Sequence, residues 1–394
     1  MNLLHITPYY PPAYAFGGVV RAVHGMATAL AARGHSVTVL TTDALDRDRR
    51  IESPLDTFID DVRVVRVRNA SVWLRGRTNL STPLSMKKAV GPLIAAADLV
   101  HFHEFRTAET LLLAPQAARH GLPLVLSPHG TLTTETGRGS LKRLWDIAFS
   151  PRLARCFSAV VALTAAERAE AEAFWKRLGT PATFSVVPNG VNPAEFIDRD
   201  GARAAFRARW GLSDAPVCLF LGRLHARKGI DFLIRAFQIA RLEQAYLVIA
   251  GPDEGMLATI TPLIAADRRI VLTGYLDDEG RRAALAAADV FVLPALGEGL
   301  SIAALEALAS GLPAILSPEC NLPEAAAAGA ALIVERQVEP LASALTTLMS
   351  NPELRAAMGE RARALVSEHF TWDRVGTQLE TVYQSLVKRQ HTLG

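Results

Sequence analysis

Two glutamates in the C-terminal half, Glu298 and Glu306, stand eight residues apart across a glycine-flanked loop and a predicted helix. At about 1.5 Å per residue, this spacing corresponds to roughly 12 Å if all of it were helical, which is the reach of a nucleotide-sugar. We expect Glu306 on the exposed side of the helix, so that both carboxylates face one ligand. Carboxylates accept hydrogen bonds well, and sugar and ribose hydroxyls are natural partners. The alternative is that both are solvated charges.

The residues between the two glutamates indicate where the helix begins and ends. Ser301 is a suitable N-cap, and Gly311 followed by Pro313 ends the helix. The backbone N–H groups of Gly299, Leu300 and Ser301 point out of the helix start, where the helix dipole favours anions. This stretch therefore predicts a place where a phosphate or a sugar can approach the main chain.

A pair of cations forms a second candidate site. Arg223 and Lys228 are five residues apart, beside Gly222 and Gly229, directly after a predicted strand. Such a pair can clamp a diphosphate, Arg through its planar fork and Lys as a point charge. The alternative is that both are ordinary solvated cations.

Strand ends in the N-terminal half carry further candidates. A proline-rich loop after the first predicted strand leads to Gly17 and Gly18, and glycines let a backbone N–H approach a phosphate, although a plain turn is the simpler interpretation. Histidines end two other strands, at His101, His103 and His129. A histidine there can donate to a sugar hydroxyl or a phosphate, and its ordinary pKa lets it share a proton near neutral pH. The alternative is a hydrogen-bonded packing residue.

The elements that must position these residues alternate between strand-like and helical runs, which predicts an α/β protein with parallel sheets and crossover helices. The alternation pauses near residue 190 and then restarts. We therefore predict two Rossmann-like domains, 1–190 and 191–371, and an amphipathic helix at 372–394, with ligands outside the carboxyl ends of the strands. The predicted strands are 3–6, 37–41, 62–67, 99–102, 123–127, 159–163, 217–221, 246–250, 270–272, 290–293 and 314–316.

Composition agrees with a packed α/β protein. The chain has 394 residues, which is more than a single hydrophobic core usually holds, so two domains are expected. Its residues are 50% hydrophobic and 21% charged, a composition that excludes disorder. The net charge is +3, with a mildly basic N-terminal half and a mildly acidic C-terminal half. We expect different partners for the two halves, and no nucleic acid among them.

Cysteine usage and hydropathy bear on the compartment. Cys156, Cys218 and Cys320 are widely spaced, in no metal-ligand pattern, which predicts small buried thiols in a reducing compartment. The chain enters a strand at once, without a basic n-region, and no uncharged apolar run reaches about 18 residues. We expect a cytoplasmic protein, with peripheral contact to the inner face of a membrane as a further hypothesis.

The spacing E-x7-E between Glu298 and Glu306, followed by Glu-Ala-Leu-Ala-Ser-Gly-Leu-Pro, closely resembles the signature of the retaining family 4 (group 1) glycosyltransferases of the GT-B fold. Other motifs similar to the family's follow the right order along almost the whole chain: the Gly-Gly loop, Pro-His-Gly, Pro-Asn-Gly-Val, and Gly-Arg with Lys-Gly. The resemblance implies two Rossmann-like domains facing each other across a cleft. The N-terminal domain would bind the acceptor and the C-terminal domain the nucleotide-sugar, while the terminal helix returns to the N-terminal domain.

The resemblance also implies an activity: transfer of a sugar from a UDP- or GDP-linked donor to an acceptor hydroxyl, with retention, in surface polysaccharide or lipid-linked oligosaccharide synthesis. Arg223 and Lys228 would neutralise the leaving diphosphate, which is electrostatic stabilisation. The remaining roles it implies are the donor sugar for Glu298 and His129, the ribose for Glu306, the diphosphate for Gly17, Gly18, Gly299, Leu300 and Ser301, and the edge of the base for Tyr275 and Leu276. We assign His103 to the acceptor side and His101 a structural role.

Several points stay open at this stage. The D-x-D spacings at Asp46 and Asp48, and at Asp198 and Asp200, sit in charged linkers, so we expect no essential metal and no other cofactor. Many relatives have Glu-Gly-Phe-Gly where this chain has Leu300 and Ser301, which leaves the donor sugar unassigned. The alternatives are another GT-B nucleotide-sugar enzyme, such as an epimerase, and a non-catalytic partner subunit. A dehydrogenase is disfavoured because the first strand's loop lacks G-x-G-x-x-G.

Residues 138–157 combine basic and aromatic residues at helical spacing, with Pro151 dividing the run into two short helices. An ordinary packing helix is one interpretation. The other is a surface that binds anionic lipid, where each basic residue near the membrane contributes about 1 kcal/mol to the binding free energy. The residues in question are Arg138, Lys142, Arg143, Trp145, Phe149, Arg152, Arg155 and Phe157, with Trp73, Arg75, Arg77, Lys87 and Lys88 as an extension.

Overall fold

The computed structural model describes residues 1–52, 54–71, 81–133, 139–196, 200–265 and 267–393. The chain forms two compact units, one of Met1–Gly190 with Trp372–Gly394 and one of Val191–Thr371. Some residues singled out above lie outside the described ranges: Trp73, Arg75, Arg77, Arg138 and Asp198.

The first unit alternates strands and helices. Its described strands are β1 (Asn2–Ile6), β2 (Ser36–Thr42), β3 (Asp56–Ile59), β4 (Val62–Val67), β5 (Leu99–His103), β6 (Leu124–Ser127), β7 (Ala159–Ala162) and β8 (Thr183–Val186). Its described helices before Gly190 are α1 (Gly18–Ala32), α2 (Met86–Ala95), α3 (Ala108–Ala118), α4 (Gly139–Ala148), α5 (Ser150–Ala154) and α6 (Ala165–Arg177).

The second unit repeats the same alternation. Its described strands are β9 (Val217–Leu221), β10 (Tyr246–Ala250), β11 (Ile270–Gly274), β12 (Val290–Leu293), β13 (Ala314–Leu316) and β14 (Ala331–Ile333). Its described helices are α7 (Asp200–Trp210), α8 (Ile230–Ile239), α9 (Leu257–Ile264), α10 (Asp278–Ala287), α11 (Ile302–Ala309), α12 (Pro323–Ala327), α13 (Val338–Met349) and α14 (Pro352–His369).

Strand order decides where loops can meet. The first sheet has the order β3-β4-β2-β1-β5-β6-β7-β8 and the second β11-β10-β9-β12-β13-β14. All neighbouring strands are parallel except β3, which pairs antiparallel with β4. The order reverses between β1 and β5 in one sheet and between β9 and β12 in the other. The crevice outside the carboxyl ends of the strands at such a reversal is where open α/β sheets bind ligands.

The central strands β5 and β9 are buried along their whole length, as expected for parallel strands covered by helices on both faces. In β9 this is met by the run Val-Cys-Leu-Phe-Leu, which is almost purely apolar. In β5 the buried run contains His101 and His103, so polar rings occupy core positions and need partners there.

The chain after Thr371 returns to the first unit as α15 (Trp372–Leu393), which packs against α1. The ring of Trp372 lies so close to Gly25 that an added Cβ would be 2.1 Å from it, so only glycine fits there. Arg33 donates to Glu380 at 2.7 Å, and Tyr383 is fully buried. The prediction of a terminal helix on the N-terminal domain is confirmed.

All the predicted strands are present, with bounds that differ by at most two residues. Sequence reasoning missed β3, β8 and β14. The strands β3 and β8 lie at sheet edges with half-exposed side chains, so they lack the apolar run that revealed the others, and β14 has only three residues.

Candidate functional site

In the second unit, the loops after β9 and β12 meet because these strands are neighbours at the order reversal. Lys228, from the first loop, donates from Nζ to Oε1 of Glu298, from the second, at 2.6 Å. Arg227 binds the second loop too, through Nε to the Leu296 carbonyl at 3.2 Å and through its terminal N–H to the Gly297 carbonyl. Two predicted site residues 70 positions apart are thereby brought into direct contact.

The charge of Glu298 is maintained by its neighbours. Burial by itself raises the pKa of this carboxyl, but the attraction and hydrogen bond of Lys228, with smaller contributions from Arg227 and Arg223, hold the pKa below its usual value. Glu298 is therefore ionised at neutral pH. Its backbone is anchored as well, because the Asn321 side-chain amide donates to the Glu298 carbonyl at 2.6 Å.

Arg223 lies on the same loop as Lys228, and its side chain is 39% exposed. Its Nη1 donates to both carboxylate oxygens of Glu254, each at 2.9 Å. Glu254 follows β10, the other neighbour of β9, so the carboxyl ends of three adjacent strands contribute to one cluster. A diphosphate bound by Arg223 would have to share this guanidinium with Glu254.

Helix α11 begins as predicted. Ser301 is the N-cap, and its Oγ accepts from the backbone N–H of Ala304 at 3.4 Å. Leu300 and Ser301 are buried, whereas Gly299 is half-buried. The positive end of the α11 dipole thus lies directly after Glu298.

The expectation that Glu306 lies on an exposed helix face is wrong. Glu306 is only 6% exposed, and its Oε1 pairs with Nη1 of Arg281, which comes from α10 and is equally buried. The helix is wedged inside the unit, since Ile302, Leu305 and Leu308 are buried as well. An interior carboxylate needs a buried cation, and Arg281 supplies it.

The predicted wall for the base lies at the end of β11. Tyr275 follows this strand and is 52% exposed, and Leu276 is half-buried. β11 is an edge strand, two places from β9 in the sheet order. These residues are therefore further along the same sheet edge as the Lys228 and Glu298 cluster.

In the first unit, Gly17 and Gly18 are placed as predicted at the start of α1. Gly17 has φ 96°, which favours glycine, and it is the N-cap. At Gly18 an added Cβ would meet no protein atom within 4 Å, so packing does not require glycine there. The open space leaves the helix start accessible to a ligand.

Four histidines of the first unit, His5, His101, His103 and His129, lie together at the reversal between β1 and β5. Nδ1 of His5 lies 3.0 Å from Nε2 of His103, and Nδ1 of His103 lies 2.9 Å from Nε2 of His129. His101 bonds elsewhere, to the Tyr383 hydroxyl at 2.6 Å and to Ser127 Oγ at 2.9 Å. The structural role predicted for His101 thus has concrete partners, one of them on α15.

The expectation that His101, His103 and His129 share a proton near neutral pH is wrong. Burial lowers the pKa of His5 to about 3 and that of His129 to about 4. Burial and the neighbouring rings hold the pKa values of His101 and His103 well below the usual range. All four rings are therefore neutral at pH 7.

The backbone at His129 is unusual. Its φ of 55° is in the left-handed region, which few residues other than glycine adopt, and Gly130 follows at 73°. The Glu167 carboxylate holds this turn by accepting from the backbone N–H of Gly130 at 2.5 Å and of Leu163 at 2.6 Å. The imidazole of His129 is therefore presented by a constrained turn.

Some described residues could be considered for a metal. One ring nitrogen from each of His5, His101 and His103 lies within 4.8 Å of the others. The hydrogen bonds above already use both ring nitrogens of His101 and His103, so this donor set is engaged within the protein. Asp46 caps its own turn, since its Oδ1 accepts from the backbone N–H groups of Asp48 and Arg49 at 2.9 and 2.8 Å.

Comparison with known proteins identifies the family. The chain matches the family "Glycosyl transferases group 1" over residues 202–365 and "Glycosyltransferase Family 4" over residues 16–195. It is 31% identical to a D-inositol 3-phosphate glycosyltransferase of Kineococcus radiotolerans, over 98% of this chain and 94% of that protein. The chain belongs to the family 4, group 1 glycosyltransferases.

Two further proteins illustrate the range of relatives of this glycosyltransferase. A glycogen synthase of Mycobacterium tuberculosis is 29% identical over 97% of this chain and 94% of the relative. The crystal structure of Anabaena HepE in complex with UDP and glucose superimposes with a TM-score of 0.76 at 20% identity, covering 98% of this chain and all of the other. The predicted GT-B fold is confirmed.

Sequence reasoning missed four residues that support the site of this glycosyltransferase: His5, Glu167, Glu254 and Arg281. Each acts through a partner distant in sequence, so no local motif marks it. The one available signal was His5, the only polar residue in the predicted strand 3–6.

Within its described residues, this glycosyltransferase has no helix with the length and apolar character needed to cross a bilayer. Helices α4 and α5 occupy the basic and aromatic stretch as predicted, with the break at Phe149 and Pro151 in the first turn of α5. Phe157, assigned to a surface, is instead buried in the core, and Trp145 packs against that core. Lys142 is half-buried and donates to the Thr133 carbonyl at 2.7 Å.

We expect Glu306→Ala to lower the free energy of unfolding by about 3–5 kcal/mol, because it leaves the Arg281 charge buried without its closest partner. Urea unfolding followed by circular dichroism measures this. Glu360→Ala, at an exposed position of α14 in the same unit, is the control and should change stability by no more than about 0.5 kcal/mol. Equal, small effects of both variants would contradict a buried ion pair.

Proposed function

We propose that this protein is a retaining, metal-independent glycosyltransferase that transfers a sugar from a UDP- or GDP-linked donor to an acceptor hydroxyl. The acceptor class we propose is a glycan or a lipid-linked oligosaccharide, in the synthesis of a surface polysaccharide. The observation that carries the proposal is the contact between Lys228 and Glu298 at the strand-order reversal, with Arg223 on the same loop.

This cluster suits the leaving group of such a transfer. When the bond from the anomeric carbon to the diphosphate breaks, negative charge grows on the departing oxygen. Lys228 and Arg223 would be the cations that balance this charge, and the positive end of the α11 dipole, directly after Glu298, would add to them. Stabilisation of this kind needs little covalent help from the protein.

Retention follows from a front-face substitution. The acceptor oxygen bonds to the anomeric carbon on the face that the diphosphate leaves, and the acceptor proton passes to the departing phosphate oxygen. Glu298 is a poor candidate for a covalent nucleophile, because its pKa is low and Lys228 already donates to its Oε1. Its proposed role is to accept from the hydroxyls of the donor sugar, while His129 acts on the transferred sugar and His103 serves the acceptor side.

Glu306 is proposed to hold the ribose. A carboxylate has two oxygens with about four acceptor positions, so it can pair with Arg281 and accept from ribose hydroxyls at once. The buried pair would fix the direction of the carboxylate before the nucleotide arrives. Tyr275 and Leu276 would edge the base through their main chain, and Gly17 and Gly18 would approach the diphosphate.

The base of the donor is proposed as uracil or guanine. The HepE structure contains UDP and glucose, and the structural similarity of HepE to this chain supports a UDP-linked donor. Leu300 and Ser301 replace the Phe-Gly pair of many relatives, and the Leu300 side chain is buried here.

We expect Lys228→Gln to weaken nucleoside-diphosphate binding by roughly 10- to 100-fold, because it removes a charged hydrogen bond worth about 1.5–3 kcal/mol. Isothermal titration with UDP, GDP and ADP at fixed salt measures the effect. Arg235→Gln, an exposed cation on α8, is the matched control and should bind like the wild type. Absence of binding of any of the three nucleotides to folded wild type would contradict the donor site.

Stereochemistry and metal dependence are read from one assay. We expect the product to keep the anomeric configuration of the donor, as seen in the proton coupling of the product's anomeric carbon, and turnover to persist in EDTA. Because Lys228 and Arg223 would supply the counter-charge that a metal supplies elsewhere, turnover should not require added Mn²⁺ or Mg²⁺. Inversion, or a loss in EDTA restored by either ion, would overturn the corresponding part of the proposal.

A peripheral membrane contact on the inner face is the further part of the proposal. Three apolar side chains on one face of α4 are exposed, Leu141 at 50%, Leu144 at 63% and Ile147 at 80%. Exposed bases accompany them at Arg143, Arg152, Arg155, Lys87 and Lys88. An apolar stripe beside cations is the pattern of a helix that lies in the headgroup region of anionic lipid.

We expect Ile147→Glu to weaken binding to phosphatidylglycerol-containing vesicles at low salt by about tenfold or more, since it puts a charge where an apolar side chain would be buried. Vesicle co-sedimentation measures binding. Ile239→Glu, at a 55% exposed position of α8 in the other unit, is the control. The membrane contact through α4 would be contradicted if the wild type does not bind these vesicles, or if both variants lose binding equally.

A further inference from the structure

The three rings of His5, His103 and His129 form a continuous hydrogen-bonded chain, which we call the histidine chain. It starts at His5 in β1, passes through His103 in β5 and ends at His129 after β6. His5 and His103 are fully buried, and His129 is partly accessible. The ring centroids of His5 and His103 are 5.2 Å apart, and those of His103 and His129 are also 5.2 Å apart.

The proton count of this chain is restricted. A neutral imidazole has one N–H donor and one bare acceptor nitrogen. Burial keeps these rings neutral, as their lowered pKa values indicate. Since His103 bonds through both nitrogens, it must donate at one end and accept at the other, so the three rings can carry their protons in only two concerted patterns.

The two patterns differ at the ends of the chain. In the first, His5 donates from Nδ1 to His103, and His103 donates from Nδ1 to Nε2 of His129, so His129 carries its proton on Nδ1. In the second, every bond is reversed, and His129 donates from Nε2 while its Nδ1 is bare. The nitrogen that His129 offers to a ligand is thus tied to the tautomer of His5.

His5 distinguishes the two patterns. Its Nε2 is buried and has no hydrogen-bond partner among the described residues. In the second pattern this nitrogen would carry a buried N–H with no acceptor, and orphaned buried N–H groups are rare in native proteins. In the first pattern the same position holds a bare acceptor nitrogen, which avoids the orphaned donor.

We propose that His5 and His103 are positioning residues that hold His129 in its Nδ1–H tautomer, so that His129 presents a hydrogen-bond donor rather than a base. The inference rests on the proposed function in one respect, the role of His129 toward the transferred sugar. A donor there suits a sugar hydroxyl or phosphate oxygen. The role of the histidine chain is to keep that donor from reverting to the other tautomer.

His101 supports the histidine chain without belonging to it. Its ring lies 4.4 Å from that of His103, centroid to centroid, and its own nitrogens bond to Tyr383 and Ser127. Tyr383 comes from α15, so the returning helix holds the ring of His101, which packs beside His103. A change at His101 therefore alters packing beside the chain but removes none of its bonds.

Selective labelling of the histidines with ¹⁵N tests the proposal in the full chain. Two-bond ¹H–¹⁵N correlation spectra distinguish protonated from bare ring nitrogens, and His129→Gln identifies the His129 signals by their loss. We expect wild-type His129 to show a protonated Nδ1 and a bare Nε2. In His5→Asn the amide takes the place of Nδ1 and can donate to His103 or accept from it by flipping, so the His129 shifts should move toward values averaged over both tautomers.

A second variant guards against misfolding of the first. In His103→Asn the amide takes the place of Nδ1 and can bond His129 as donor or acceptor by flipping, so it should free the tautomer while keeping the contact. His101→Asn, which retains the Nδ1 position toward Tyr383, is the matched control and should leave the His129 shifts unchanged. Circular dichroism and melting temperature confirm that each variant is folded.

The outcomes separate this inference from the proposed function. An Nε2–H or mixed tautomer in wild type, or an unchanged His129 tautomer in folded His5→Asn and His103→Asn, overturns the histidine chain as a positioning device. UDP and GDP titrations of the wild type report on the donor site of the other unit. Nucleotide binding with an unaffected tautomer refutes only the inference, and a controlled tautomer without nucleotide binding refutes only the proposed function.

Discussion

The constraint on which this glycosyltransferase depends is the reversal of strand order in each of its two sheets. At a reversal, the crossover helices that follow two neighbouring parallel strands lie on opposite faces of the sheet. The loops at the carboxyl ends of these strands therefore diverge and leave a crevice. In the second unit this brings Lys228 after β9 against Glu298 after β12. In the first unit it puts His5 of β1 beside His101 of β5, in direct register. The candidate residues of both units cluster where the topology leaves room for them.

The two units solve the problem of interior polar groups differently. The second unit uses paired charges: Lys228 with Glu298, Arg223 with Glu254 and Arg281 with Glu306. An unpaired charge is expensive in the interior, where the pairs Lys228 with Glu298 and Arg281 with Glu306 lie, so these side chains are held in place before a nucleotide binds. That suits a site in which negative charge develops, because fixed dipoles and cations need no reorganisation during the reaction.

The first unit uses neutral rings. At the carboxyl edge of the sheet three histidines bond to one another, a fourth, His101, bonds to Ser127 and Tyr383, and burial keeps all four uncharged. Neutral rings avoid the cost of interior charge, yet they retain direction, since each has one donor and one acceptor. Glu167 adds to this order by holding the strained turn at His129 through two backbone N–H groups. A neutral, directional group is suited to contacting a sugar, where hydroxyls both donate and accept.

The amino-acid sequence by itself determined the local elements and the family. Mostly apolar runs of three to six residues predicted the strands, Ser301 and Gly311 predicted the ends of α11, and E-x7-E with Arg223 and Lys228 indicated the glycosyltransferase family. These features are read from neighbours along the chain, where spacing and capping act directly. Only the tertiary structure decided which groups are paired: that Glu306 is buried against Arg281, that Glu254 holds Arg223, and that His5 joins His103. Their partners lie tens of residues apart, and both the burial and the pKa of each group depend on what the fold places beside it, which no local pattern encodes.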